Sequence, residues 1–252
     1  MSEAGTESVA ILAPRSTIAQ EVARQLNARG AALAYIGRDL SGLEGPEAGF
    51  ESTCDLTDFE AVQSALGEAS EALGGLTGIV NCSGSIVLKP AHLCDRATFD
   101  ETVAANLLTG FATVRAAGRL LAESGGSVVL VSSAAAQLGM PNHELIGMAK
   151  SGVEGMMRSA AATYASKGIR FNAVAPGLVK TQLSERIVSS PASLSVSESL
   201  HALGRIGDAD DVARAIAWLL DPDQAWVTGQ VIGVDGGLSR VQPKPRMGAT
   251  QR

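Results

Sequence analysis

Two side chains near the middle of the chain have the types and spacing to act on one small molecule: the hydroxyl of Ser133 and the amine of Lys150. Ser133 follows a short apolar run, Val128-Val129-Leu130-Val131, and then Ser132. The run is too short for a helix and is bounded by turn signals, so it reads as a strand buried on both faces. A turn-rich stretch with Gly139 and Pro141 comes next, and then a helix carrying Lys150 among small residues and methionines. In an open α/β sheet, a hydroxyl at a strand's carboxyl end and a lysine on the next helix face one crevice. They could orient a carbonyl or carbinol oxygen, but a proton-transfer step needs a further group between them.

This frame resembles the short-chain dehydrogenase/reductase (SDR) family. There the strand-end serine is followed thirteen residues later by a tyrosine and, four residues beyond it, by the lysine; here the three places hold Ser133, Ile146 and Lys150. In the family the phenol exchanges a proton with the carbinol oxygen, and the lysine lowers its pKa. Isoleucine has no proton to exchange. The resemblance therefore implies a catalytic site reduced to Ser133, Lys150 and Asn106, the last matching the asparagine that helps hold a water near the lysine. His143, three residues before Ile146, is a candidate surrogate proton carrier, with a plain loop histidine as the alternative.

The cofactor turn departs from the family as well. Its TGxxxGxG pattern falls on Leu12 to Ala19, with Ala13, Thr17 and Ala19 at the three glycine positions. Glycine serves there because the turn needs positive φ and the pyrophosphate must approach bare backbone. Pro14 also removes an N–H. Thr17 with Gln20 three residues on reads instead as the capping box of an ordinary helix. The expectation is a lost dinucleotide site in which Arg38, Asp55 and Asn81 are vestigial: Arg38 at the place of a 2′-phosphate cation, Asp55 at that of an adenine contact, and Asn81 in the relic of an NNAG motif. Asp55 can equally belong to ordinary helix capping with Thr57 and Asp58.

The remaining elements supply the positioning frame. The resemblance covers Val9 to Leu238 and, with the alternating β and α runs, predicts a single-domain, Rossmann-like, doubly wound α/β sheet of about seven parallel strands. Residues 1–8 are a polar extension and 239–252 a tail. Gly168 to Gly177 gives a strand and the Pro-Gly turn that borders the nicotinamide in relatives, with Thr181 near the carboxamide position. Residues 182–203, rich in serine, are expected to be a mobile substrate lid. Asp208 to Leu220 reads as a helix, and Trp226 to Gly237 closes the sheet.

A net charge of −6 argues against nucleic acid as a partner, and no apolar run is long enough for a membrane helix. Cys54, Cys82 and Cys94 and the histidines His92, His143 and His201 lack ligand spacing, so no metal is expected, and the scattered thiols point to a reducing cytoplasm. The resemblance implies a non-catalytic subunit of a heteromeric NAD(P)-dependent alcohol dehydrogenase or ketoreductase. Such a chain binds no cofactor itself and supports an active paralogue, which holds NAD or NADP. The 2-[hydroxy(phenyl)methyl]-succinyl-CoA dehydrogenase of anaerobic toluene degradation offers the analogy, with a CoA thioester as the substrate it suggests. Contact is expected through the helices around 107–122 and 144–166 and the C-terminal strand, in a heterotetramer. The alternatives are an active reductase with an atypical cofactor loop, and a cofactor-independent, non-redox enzyme using the same cleft.

Overall fold

The computed structural model describes residues 7–242. Its main sheet has seven parallel strands: β1 (Ser8–Leu12), β2 (Ala32–Gly37), β3 (Phe50–Thr53), β4 (Gly78–Asn81), β5 (Gly126–Val131), β6 (Ile169–Pro176) and β9 (Val231–Val234), ordered 3-2-1-4-5-6-9. A separate two-strand ladder joins β7 (Val179–Lys180) to β8 (Gly207–Asp208).

Side chains alternate between two cores, as period-2 strand geometry requires. On β1, Ala10 and Leu12 face α2 (Phe59–Leu73), α4 (Thr109–Leu120) and α5 (Glu144–Tyr164), whereas Val9 and Ile11 face α1 (Thr17–Ala28) and α8 (Ala209–Leu220). Burial on both faces explains the apolar runs of β1, β4 and β5. Asp58 caps α2 by accepting from the Glu60 and Ala61 amides, and Asp208 caps α8 in a reciprocal box with Asp211. No helix among the described residues is long and apolar enough to cross a membrane.

The strand order reverses between β1 and β4, so the crevice at the carboxyl ends of β1, β4, β5 and β6 is where this architecture takes ligands. Residues 182–203, expected as a mobile loop, are instead largely helical. A short turn at Gln182–Ser184 leads into α6 (Glu185–Val188) and α7 (Pro191–Leu200). The helical signal was in the caps: Ser190 accepts from the Ser193 amide, and Pro191 stands at the first helical position, where its missing N–H costs nothing.

Candidate active site

At the end of β5 the chain turns its two serines to different tasks. Ser132 is buried and donates to Glu154 Oε1 at 2.9 Å, tying the strand to α5. Gln137 Nε2 donates to the same oxygen at 3.0 Å, which anchors the intervening loop. Ser133 stays half-buried and extended, and its hydroxyl accepts from the Ala135 amide at 3.2 Å as the cap of a short 3-10 turn.

On α5, Ile146 and Lys150 both face inward, with exposures of only 4% and 6%. Lys150 Nζ donates to the Val131 carbonyl at 2.8 Å. Burial pulls its pKa down to about 8, because an ammonium loses hydration there. The neighbouring Cys82 thiol, pushed up to about 12 by its own burial, supplies no useful countercharge. In the place from which a tyrosine would meet this lysine there is only the hydrocarbon of Ile146.

Asn106 lies in a widened π-helical turn, Ala104–Leu108, between α3 (Arg96–Val103) and α4. Its Nδ2 donates to Thr102 O at 2.9 Å and Ser85 Oγ at 3.0 Å, and its Oδ1 accepts from the Ser85 amide at 3.2 Å. Ser85 is a partner that the sequence motifs did not single out. Gly84 beside it has no side chain to spare room for: a Cβ there would lie 3.0 Å from Asn106 Oδ1 and 3.4 Å from Lys150 Nζ. The structure thus brings Lys150, Asn106, Ser85 and Gly84 together. It leaves His143 at the cap of α5, its Nδ1 donating to Pro141 O at 2.7 Å.

The turn between β1 and α1 keeps one feature that glycine would have provided. Ala13 has φ +59°, a left-handed conformation costing an alanine about 1–2 kcal/mol. Its amide bonds Ile36 O at 2.9 Å, and the Pro14 ring lies over Gly37, where a Cβ would be 3.1 Å from Pro14 Cδ. Arg15 pairs with Asp39. The expected Thr17–Gln20 capping box does not form. Ser16 is the cap residue, without a side-chain cap bond, Thr17 is the first helical residue, and Gln20 Nε2 turns back to Arg15 O at 3.3 Å. Ala19 is completely buried against the core.

Three further residues divide between structure and surface. Arg38 is exposed. Asp55 accepts from the Thr57 amide and hydroxyl, both at 2.9 Å, and these bonds hold its carboxyl below the usual range. Asn81 Nδ2 donates to Thr109 O at 3.0 Å and Thr113 Oγ1 at 2.8 Å, and its Oδ1 accepts from the Ser83 amide, which locks β4 to α4.

This geometry has counterparts among known proteins. A short-chain dehydrogenase family profile, described as enoyl-(acyl carrier protein) reductase, matches residues 12–239. The chain belongs to the short-chain dehydrogenase/reductase family. It is 30% identical to 2-(S)-hydroxypropyl-CoM dehydrogenase 3 of Xanthobacter autotrophicus (strain ATCC BAA-1158 / Py2), over 93% of this chain and 97% of the relative. To the inactive 2-(S)-hydroxypropyl-CoM dehydrogenase 2 of the same strain it is 32% identical, over 87% of this chain and 100% of the relative. The solved structure of ElxO with NADP bound superposes with a TM-score of 0.83 at 27% identity, covering 92% of this chain and 98% of that one. NAD(P) is thus bound by relatives in the SDR family, and this chain carries Ala13, Thr17 and Ala19 at the glycine positions of the turn, with Pro14 beside the first.

Proposed function

We propose that this chain is a non-catalytic SDR subunit that assembles with an active, NAD(P)-using paralogue and supports that partner's oxidation of a secondary alcohol or reduction of a ketone. The reading rests on Ile146. A buried hydrocarbon occupies the place where the proton-exchanging phenol belongs, one helical turn from a lysine whose family role was to tune that phenol. The altered cofactor turn is a second departure, at the opposite end of the cleft. That an inactive relative and a dehydrogenase of the same name occur in one strain supports a division of labour of this kind. Exposed Phe111 on α4 and Met148 on α5, together with fully exposed Trp226 before β9, are apolar surface for a heteromeric, heterotetrameric contact in the cytoplasm. A CoA thioester is the substrate to try first.

One observation favours a second reading, an active oxidoreductase with an atypical loop. Ala13 holds the left-handed conformation of the family turn despite its side chain, and further relatives at 30–34% identity are named as dehydrogenases. Co-expression with an active SDR paralogue from the same organism decides between the two. A heteromer whose turnover survives Lys150→Ala in this chain, and is lost on the matching change in the partner, is the expected result. A stable homo-oligomer of this chain with dehydrogenase turnover of its own would favour the second reading.

A further inference from the structure

The segment between β7 and β8 is held in an unusual way for a lid. Neither α6 nor α7 buries a side chain, and Leu183, Val196, Leu200 and Leu203 are all exposed, so apolar packing does not set its position. Polar contacts at its two ends do.

At the front, the Gln182 amide donates to Thr17 Oγ1 at 3.4 Å. Thr17 opens α1, and the amino end of this helix is where the fold places a dinucleotide's diphosphate. Glycine at that position would offer no hydroxyl, so the contact exists only because the family residue has been replaced. Thr181 and Ser184 cap one another beside it, which fixes the backbone that presents Gln182.

At the rear, His201 is 3% exposed. Its Nδ1 donates to Ser197 O at 2.6 Å on α7, and its Nε2 accepts from the Leu178 amide at 3.2 Å, just past the Pro176-Gly177 turn. Those two bonds require the neutral ring with its proton on Nδ1. The ring is also wedged in place: a Cβ on Gly177 would lie 2.6 Å from Nε2, and one on Gly236 would lie 3.5 Å from His201 Cβ. The Leu203 amide then bonds Gly236 O at 3.0 Å.

We propose that residues 181–201 are a lid fastened by the chain itself, at Thr17 in front and His201 behind, over the place a diphosphate needs. The inference deepens the non-catalytic reading and rests on it for its purpose: the subunit keeps a closed cleft without a cofactor to close it. The structure of the fastening stands on the contacts alone.

Hydrogen exchange resolved to single amides, on the full chain without cofactor, tests this. The Gln182 and Leu178 amides should be protected in the wild type. Thr17→Val keeps the side-chain size and removes the acceptor, and should speed exchange at Gln182 by about tenfold, the worth of one ordinary hydrogen bond, while sparing Leu178. His201→Ala should speed Leu178 and residues 185–200 together by at least about tenfold. His201→Gln retains an acceptor and should restore protection at Leu178, which separates the fastening from a general loss of stability. Exchange at wild-type rates in both Thr17→Val and His201→Ala would overturn the proposal. Extra protection of the wild-type lid on adding NADPH would also overturn it, because a fastened lid has no further closing to do. Saturable cofactor binding with hydride transfer by the chain alone, and unchanged lid exchange, would sink the non-catalytic reading and leave the fastening standing.

Discussion

Lys150→Met is expected to stabilise the fold by about 2 kcal/mol at pH 7, although it removes a polar side chain of the cleft that matches the family. The folded-state pKa of Lys150 is about 8 against an ordinary value of 10.5. Below pH 8 the lysine is charged in both states, and holding the ammonium in the protein costs about 3 kcal/mol. Methionine fills much the same volume without that penalty, but it forfeits the bond to Val131 O, worth about 1 kcal/mol. The sign follows from linkage: a lysine with a lowered folded-state pKa binds fewer protons folded than unfolded. Wild-type stability should therefore rise between pH 8 and 10.5, and the advantage of the variant should vanish and reverse by about pH 10. Urea unfolding of both proteins at pH 7 and pH 10 measures this. A loss of stability at pH 7 would mean that the ammonium is compensated in the cleft by more than Val131 O. In a working SDR such a cost is justified by catalysis; under the proposed non-catalytic reading it has no such justification.

Gly177→Ala should be the most damaging small substitution near the cleft, costing about 3 kcal/mol. The new methyl would lie 2.6 Å from His201 Nε2 and 3.0 Å from Asp235 Cα. The imidazole cannot swing away without breaking its bonds to Ser197 O and the Leu178 amide, and the Asp235 backbone directly follows β9, which ends at Val234. The same substitution combined with His201→Ala should cost less than the sum of the two single changes, because removing the ring relieves the closer contact and leaves only the backbone one. A thermal-unfolding double-mutant cycle reads the difference. Strict additivity would place the strain at Asp235 and deny His201 its wedge.

The residues that carry the fold were legible because their reason is local. Short β-rich runs bounded by turns gave the parallel strands, and Asp208 before α8 gave a helix start that the structure reproduces. The bond from Lys150 to Val131 O at the end of β5 follows from β5 and α5 being consecutive in an α/β sheet. The rest depended on contacts distant in sequence. His201 carried no signal in the residue types, because beyond its local bond to Ser197 O its contacts are Leu178, 23 residues earlier, and a turn near Asp235. The serine-rich lid reads as loop by composition, since serine competes for backbone hydrogen bonds, yet Thr181, Ser184 and Ser190 use that same property to cap its turns. The Thr17–Gln20 pattern misled by one residue: Ser16 is the cap, and Gln20 turns back to Arg15 O. The π-helical turn that places Asn106 against Ser85 has no signature in the residue types at all.

The most direct measurement is a fluorescence titration of the purified chain with NADH and with NADPH, run alone and in complex with its paralogue. No saturable signal is expected from the chain alone up to millimolar cofactor, and binding in the complex should disappear when only the partner's phosphate turn is altered. A saturable response from the chain alone, accompanied by hydride transfer to a carbonyl, would show it to be an active reductase.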